Sequence, residues 1–523
     1  MSVPAIDYTD KDFASLRAAM LRLATQRLPE WTDRSPSDLV MVLIDLFAYC
    51  GDIVAYYQDR IASEMFPETA TERAGLVDLL RLVGYEFTPA TPARADLRLT
   101  FDPAKAAAQN GLVTIAAGSR FRAEVPVHGP IEFIYRGTDL TINLASDQVL
   151  SGPDPDGALV CYEPLPVEQG VQAAPIPTLG SGTGEPNQTF ALPEKQVDLD
   201  SVGIEVDEGA GWVRWYRAAA GLASPDPLAR EFRLTVDSSD TPRIVFTNRP
   251  PPVGTDNIRA GYRVCVGARG NVAAGQISEA ITPIPGLVAL TNPAAAAGGS
   301  DAEAPDSAIR NAPKMFRSMQ RAVTAEDYAA LTRATGSVAK VRVCATSWNR
   351  VHLYVAPAGD RLTPLSESLR NHLLAYFEDK RPLCTSVDVV GARPAPVDIG
   401  CAIVVDERFA PATVLGNVRA AIADLLAFDT VDFAQTLYLS EVYATVESVS
   451  GVIGATVHRF RRADRAEPDI DMQLARSGLP PLARMPDFIR SAISADLQAV
   501  GRIDVGQFEI PVLGTLDVRI QAR

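Results

Sequence analysis

Apolar residues recur at helical spacing through the first ninety residues of the chain. The pattern predicts three helices, one ending near residue 27, one over residues 37–64 and one over residues 69–83. On the second helix a seam of apolar residues alternates between steps of four and three, as the a and d positions of a coiled coil do. The seam consists of Leu39, Leu43, Leu46, Cys50, Ile53 and Tyr57.

The seam admits two interpretations. It forms the inside of a local helical hairpin, or it packs against helices of another chain. Apolar and aromatic side chains, among them Val42, Phe47 and Tyr49, occupy much of the remaining helix surface. A helix that is apolar nearly all round needs partners on several sides, and two short flanking helices offer limited cover.

From about residue 93 the apolar period changes from helical to alternating, first over residues 97–101. Segments 202–216 and 232–246 each hold two strand-like runs around turn residues, which predicts two hairpins. Residues 150–190 are rich in Gly, Pro and Ser and predict an exposed loop excursion. This part of the chain is therefore predicted to be β-rich.

Helices and strands alternate from about residue 324. A helix begins at Thr324, with Asp327 as its capping partner, and two strands, a helix and a third strand follow. That order favours small split-βαβ modules in tandem. The predicted fold class is α+β and multidomain. Its successive parts are a helical segment (1–90), a β-rich domain (91–290), α/β modules (291–465) and a C-terminal helix with strands (466–523).

The net charge of the chain limits the classes of molecule that it is expected to bind. Lys and Arg total 49 against 64 Asp and Glu, a net charge of −15, so most of the surface repels nucleic-acid phosphate and anionic lipid. The first residues lack the basic and apolar regions of a signal peptide, and no run approaches 18 uninterrupted apolar residues. We expect cytoplasmic synthesis, no nucleic-acid partner and no direct membrane insertion.

Signatures of catalysis and metal binding are scarce. The four His form no H-E-x-x-H motif, and no two of the six Cys stand in a C-x-x-C relation. The sequence contains no Gly-Lys dipeptide for a Walker A loop and no G-x-S-x-G elbow. Carboxylate pairs such as Asp207 with Glu208, or Asp45 with Asp52, are expected by chance among so many acidic residues. We expect no catalytic, cofactor or metal site.

Several sequence blocks, taken in order, carry a family resemblance. They are Tyr8–Phe13, Pro29–Asp33, Ser37–Asp38, Tyr56–Ala62, Leu82–Tyr85, Ala260–Gly275, Asn292–Glu303, Arg321–Tyr328, Lys380–Leu383 and Gly501–Pro511. Together they resemble the baseplate J-like family of contractile phage tails and phage-tail-like injection systems, over nearly the whole chain. The approach Val264-Cys265-Val266 departs from the family's more glycine-rich pattern.

The resembling blocks have a structural interpretation. Glycines in the central block suit tight turns or close backbone approach, and Asn271 can adopt a left-handed conformation. The Gly-Gly-Ser-Asp run that follows reads as a hinge-like link. The structural motif residues are Gly267, Gly270, Asn271, Gly275, Gly298, Gly299, Asp301, Arg321, Thr324, Asp327 and Tyr328.

The resemblance implies a structural baseplate wedge component that joins a ring around the central spike and hub and couples its opening to sheath contraction. Implied partners are other wedge proteins (a paralogous J-like subunit or a second copy of this chain), hub or spike proteins and sheath-proximal proteins. The resemblance also implies that the chain is made in the bacterial cytoplasm and resides in the baseplate of the assembled particle, which is a virion or an injection system. Candidate interface residues are Trp31, Leu39, Leu43, Leu46, Ile53, Tyr56, Tyr57 and Arg60.

An alternative from another functional class is a carbohydrate-active or host-binding tail protein that uses the β-rich middle domain. Polysaccharide turnover lost on mutation of one carboxylate would favour this alternative over the structural role.

Overall fold

The computed structural model describes residues 11–106, 111–126, 129–145, 150–151, 159–173, 176–218, 226, 228–237, 239–465, 479, 484–486 and 499–521. Its backbone divides into two compact units that interleave along the chain. The first unit comprises Met1–Pro89, Ala173–Tyr262 and Ala302–Met319, and the second comprises Ala90–Gln172, Arg263–Asp301 and Gln320–Arg523. The predicted division into successive segments stays a prediction.

The described residues contain eight α-helices and 25 strands, numbered here in chain order. The helices are α1 Phe13–Arg27, α2 Leu39–Ser63, α3 Arg73–Leu82, α4 Pro305–Ser318, α5 Ala325–Ala334, α6 Glu367–Phe377, α7 Pro411–Leu425 and α8 Leu439–Glu447. The strands are β1 Arg94–Phe101, β2 Leu112–Ile115, β3 Arg120–Val125, β4 Gly129–Tyr135, β5 Leu140–Asn143, β6 Leu150–Ser151, β7 Val160–Gln169, β8 Val171–Gln172, β9 Thr178–Gly182, β10 Thr189–Ala191, β11 Val197–Asp207, β12 Trp212–Arg217, β13 Glu231–Val236, β14 Pro242–Val245, β15 Gly254–Val264, β16 Ile277–Ala280, β17 Leu287–Thr291, β18 Val338–Ser347, β19 Arg350–Pro357, β20 Ser386–Gly391, β21 Arg393–Val405, β22 Leu437–Tyr438, β23 Val452–Arg462, β24 Arg502–Ile503 and β25 Glu509–Ile520.

The first unit combines four helices with a twisted sheet. Helix α2 starts after Asp38 rather than Ser37, because the Asp38 carboxylate accepts the N–H groups of Val40 and Met41. The strands run in the order β10-β14-β13-β12-β11-β15, with β9 also on β15. Both predicted hairpins are confirmed, as β11 with β12 and β13 with β14. Trp215 and Phe246 meet edge to face in the sheet core at 5.1 Å.

A sheet in the order β16-β3-β4-β7-β1-β17 opens the second unit. Alternate residues of β1, Leu97, Leu99 and Phe101, are fully buried in its core. The predicted loop excursion over 150–190 is wrong at residues 160–169, which form strand β7 between β1 and β4. A polar, Gly- and Pro-rich surrounding sequence hid this strand.

The rest of the second unit holds two small α/β arrangements. Strands β18-β19-β20 form one sheet, in which β19 and β20 are parallel and α6 connects them. Strand β21 lies between antiparallel β23 and parallel β25 in another sheet. Helices α7 and α8 contribute Val414, Val418 and Val446 to the core around β21. Mixed α+β structure with a β-rich middle is thus confirmed, whereas the helix predicted after residue 480 lies outside the described residues.

Candidate assembly surfaces

One face of α2 packs against α1 and carries the few buried residues of the helix. Only Met41, Ile44, Ala48 and Ala55 of the 25 residues of α2 are buried. Gly51 continues this row, and a Cβ added there would lie 2.9 Å from Leu16 Cδ1 of α1. The lack of a side chain at Gly51 therefore lets the two helices approach closely.

The predicted apolar seam lies on the opposite face of α2. At about 100° per residue, its centre is about 170° from the buried row. Leu39 is 72% exposed and Leu46 is 55% exposed, and Leu43 and Ile53 are exposed as well. The interpretation of this seam as the inside of a local hairpin is wrong, because the hairpin uses a second row with the same alternating spacing.

The exposed apolar surface extends well beyond the seam. It includes Val42, Phe47, Tyr49, Val54 and Ile61, all exposed, and it spans about 180° of the helix circumference at 3.6 residues per turn. We call this surface, made of the seam and its flanking apolar residues, the open face of α2. A stripe of that width exceeds what one partner helix covers.

The charged residues of α2 lie toward α1 instead. Asp45 accepts a 2.5 Å hydrogen bond from Nε of Arg17, and Asp52 Oδ1 accepts the Phe13 N–H at 3.0 Å. These contacts tie the two helices along one side. They leave the open face without a charge among its apolar residues until Arg60 at the end of the helix.

The remaining predicted interface residues are Tyr57 of the seam together with Tyr56, Trp31 and Arg60. The side chains of Tyr56 and Tyr57 are exposed, and their rings meet edge to face with centroids 5.7 Å apart. Trp31 is half-buried and donates its Nε1–H to Asp38 at 3.0 Å, which couples the ring to the start of α2. Arg60 pairs with Glu72 at 2.7 Å, and this hydrogen bond raises the pKa of the guanidinium.

Two of the predicted motif blocks meet in the second unit. Gly267 has φ of 60°, and a Cβ there would collide with the Asp301 carboxylate. The same carboxylate accepts the Ala268 N–H at 3.1 Å. The glycine and the aspartate, 34 positions apart in the sequence, therefore form one packed turn, which explains why both residue types are needed.

A second pair of contacts fixes the same junction. The side-chain amide of Asn271 donates to Gly299 O and accepts from Gly299 N–H, each at 2.9 Å. Asn271 has φ of −76°, so the predicted left-handed conformation is wrong. Gly298 and Gly299 are buried, and Thr91 donates its hydroxyl to Gly298 O at 3.0 Å. The interpretation of residues 298–301 as a hinge-like link is therefore wrong.

The other motif glycines have simpler roles. Gly270 is buried, and a Cβ there would lie 3.0 Å from the Cβ of Ala93. Gly275 is exposed with φ of 79°, and nothing approaches its Cβ position. Gly270 thus permits close packing, and Gly275 permits a left-handed turn.

The final motif block builds the start of α5. Thr324 and Asp327 form the predicted capping box, each side chain accepting the other's backbone N–H. Tyr328 is buried and its ring lies 5.4 Å from that of Phe377. Arg321 is exposed just before the helix. Thr324 and Asp327 thus cap α5, and Tyr328 packs it against α6.

Family comparisons place known domains on two of these regions. Residues 12–82 match the family model of the bacteriophage baseplate protein N-terminal domain. Residues 320–390 match that of the Baseplate J-like central domain. The chain therefore carries two regions that match domains of baseplate proteins. The first match spans α1 to α3 with the whole open face, and the second spans α5 to β20.

The chain also resembles a solved structure. A chain of the anti-feeding prophage (AFP) baseplate, determined by cryo-electron microscopy with 6-fold symmetrisation, aligns at a TM-score of 0.31 and 10% identity. The alignment covers 98% of this chain and 95% of that one. No match was found among curated proteins.

A buried charge cluster in the second unit was not anticipated from the sequence. Glu168 on β7 accepts hydrogen bonds from Arg94 at 2.9 Å, Arg136 at 2.6 Å and Arg263 at 3.3 Å. Burial alone raises the pKa of Glu168, but the three guanidinium groups outweigh it and lower that pKa to about 2. Arg94 also donates to Ser337 at 3.1 Å, which links the β-rich sheet to the start of β18.

The carboxylates weighed as catalytic candidates are engaged in structure. Asp207 caps a turn by accepting the Gly209 N–H at 2.9 Å, and Glu208 pairs with Arg230 at 2.8 Å. The hydrogen bond from Arg230 lowers the pKa of Glu208, so this carboxylate is a poor proton donor. Within the part of the chain that the structure describes, no group of three His, Cys, Asp or Glu side chains could hold a metal ion.

Proposed function

We propose that this protein is a structural wedge subunit of a contractile injection particle, and that its open face joins a helical bundle with partner proteins. The observation that carries the proposal is the match of residues 12–82 to a baseplate domain whose longest helix leaves half its circumference apolar and exposed. Monomeric soluble proteins rarely expose contiguous apolar patches of more than a few hundred Å². Such a surface is typical of an assembly contact.

A bundle explains the open face better than a membrane does. By length and composition α2 could cross a bilayer. However, Asp45 and Asp52 lie within the helix, and both are held by α1. A charged residue inside a bilayer is costly. Insertion of α2 would also require α1 either to detach from α2 or to enter the bilayer together with α2. Apolar partner helices cover the open face without moving either contact.

The resemblance supplies the finer parts of the proposal. The partners are other wedge proteins, either a paralogous J-like subunit or a second copy, together with hub, spike and sheath-proximal proteins. The subunit resides in the baseplate of the assembled particle. Its ring surrounds the central spike, and opening of the ring releases sheath contraction. The role is structural rather than enzymatic.

Gene deletion followed by electron microscopy tests the proposal. We expect that the deletion abolishes complete, extended sheath-and-tube particles and that the wild-type gene restores them. We expect the double variant L43E/L46E to fold normally but to fail in complementation, since two carboxylates would be buried in the bundle. The matched control Q26E/Q58E adds the same charge at exposed positions outside the open face and should complement.

Three outcomes separate the alternatives. Complete particles in the deletion strain would contradict the wedge role. Full complementation by a folded L43E/L46E variant would contradict the bundle contact. Co-sedimentation of the purified wild-type chain with anionic lipid vesicles, lost in L43E/L46E, would assign the open face to a membrane surface instead.

A further inference from the structure

Two loop tips of the Baseplate J-like domain carry large apolar side chains in solvent. Trp348 in the turn between β18 and β19 is 89% exposed, and Leu383 in the turn after α6 is 95% exposed. They are the two most exposed large apolar side chains among the described residues. Neither takes part in the core of its domain or in the open face.

Both tips lie at the same end of one sheet. Strands β19 and β20 are parallel neighbours, with Arg350 opposite Ser386, and the Ser386 N–H donates to Asn349 O at 2.7 Å. Trp348 precedes Asn349 by one residue, and Leu383 precedes Ser386 by three. At about 3.8 Å between successive Cα atoms, the two backbones lie within about 15–20 Å of each other.

The turns that present these side chains are fixed by hydrogen bonds. The Thr385 N–H donates to Pro382 O at 3.1 Å, and Cys384 adopts φ of 66° at the third turn position. The Ser347 hydroxyl donates to the Asn349 side chain at 3.0 Å. A turn whose backbone is already fixed loses little conformational entropy on binding.

The surroundings of the two tips are polar and balanced in charge. Arg381 pairs with Glu378, Lys380 with Asp379 and Arg350 with Asp388. Within residues 320–390 nine Lys or Arg face seven Asp or Glu, a net charge of +2. An apolar centre with a neutralised polar rim is typical of a protein interface hot spot. The absence of a strong positive field disfavours anionic lipid and nucleic acid as the occupant.

We infer that Trp348 and Leu383 are paired anchors that insert into an apolar pocket on a neighbouring protein subunit of the baseplate. A Trp and a Leu side chain together bury on the order of 300–400 Å², about half of the 800 Å² per partner that a stable interface buries. The anchors therefore need a partner that the assembly already holds in place. The inference rests on the proposed function, because the partner is a subunit of the same particle.

Site-specific photo-crosslinking in assembled particles tests the inference. The photoreactive amino acid p-benzoylphenylalanine replaces Trp348 in the full chain, and the same residue at exposed Arg361 serves as the control. We expect irradiation of purified particles to link position 348 to apolar residues of one defined baseplate protein, which includes a second copy of this chain. Capture of lipid, or no crosslink to protein from position 348, would overturn the inference. Absence of the chain from purified particles would instead contradict the proposed function.

A pair of variants keeps the inference testable if the photoreactive residue blocks assembly. W348A/L383A removes both anchors, and D360A/R361A changes two exposed residues of the same domain. Both should keep the melting temperature of the wild-type chain, since neither pair lies in a core. We expect W348A/L383A to lower the yield of complete particles at least tenfold and the control to leave it unchanged. An unchanged yield for W348A/L383A would overturn the inference.

Discussion

Helix α2 and strand β21 are both strongly apolar, yet the structure treats them in opposite ways. Strand β21 lies between two strands and under two helices, and Ala395, Val397, Ile399, Cys401 and Ile403 are buried in its core. Helix α2 buries only four of 25 residues. An apolar run in the sequence therefore indicates that its side chains need to be buried. It does not indicate whether the same chain or a partner buries them. The unburied element is where a partner is to be sought.

The buried region should be most sensitive at its charges. Replacing Glu168 by Gln leaves Arg94, Arg136 and Arg263 without their shared counter-charge, and we expect a loss of about 3–5 kcal/mol in the free energy of unfolding. Urea denaturation followed by circular dichroism measures it. The control E163Q removes an exposed ion pair of the same strand with Arg98 and should cost less than about 1 kcal/mol. Equal effects of the two variants would contradict the cluster's structural role.

The Glu168 cluster also predicts an acid dependence. Its folded-state pKa of about 2 lies below the ordinary glutamate value of 4.5. The ionised form therefore stabilises the fold above about pH 5, and this contribution is lost as the pH falls toward 2. The shift corresponds to about 3 kcal/mol. The wild type should therefore lose more stability than E168Q between pH 5 and 2. Parallel curves for the two proteins would contradict the assignment.

A direct comparison of the two apolar elements uses one truncation in each. Ile399→Ala in β21 opens a cavity in a packed core and should cost about 2–5 kcal/mol. Leu46→Ala on the open face should change the free energy of unfolding of the isolated chain by no more than about 0.5 kcal/mol. Thermal and urea unfolding of both variants measure the difference. A large loss for Leu46→Ala would show that the isolated chain already covers its open face.

The motif junction offers a smaller and more local test. Gly267→Ala places a methyl group against Asp301 in a left-handed turn, whereas Gly275→Ala has the same backbone strain and open space around it. We expect about 1–2 kcal/mol of destabilisation for Gly275→Ala from backbone strain and about 1–3 kcal/mol more for Gly267→Ala from overpacking. Denaturation of the two variants checks the order. Equal losses in the free energy of unfolding would mean that crowding against Asp301 does not destabilise the Gly267→Ala variant.

The sequence predicted those elements whose apolar periodicity or capping pattern is local and strong. The Thr324 capping box and both hairpins are examples. It could not select between the two a/d-like rows of α2, since the choice depends on Leu16 fitting against Gly51 from another helix. Nor could it place Asp301 beside Gly267, or three arginines around Glu168, because these partners lie tens of residues apart and meet only in the folded chain.

The central claim is that partner proteins cover the open face of α2 in the assembled baseplate, and Cys50 reports on it directly. Cys50 lies on the predicted seam and is exposed in the free chain. Its rate of alkylation is measured by mass spectrometry in the purified chain and in purified particles, with the chain in denaturant as the reference for full reactivity. The account predicts rapid alkylation of the free chain and at least a tenfold slower reaction in the particle. Equal rates in both states would contradict it.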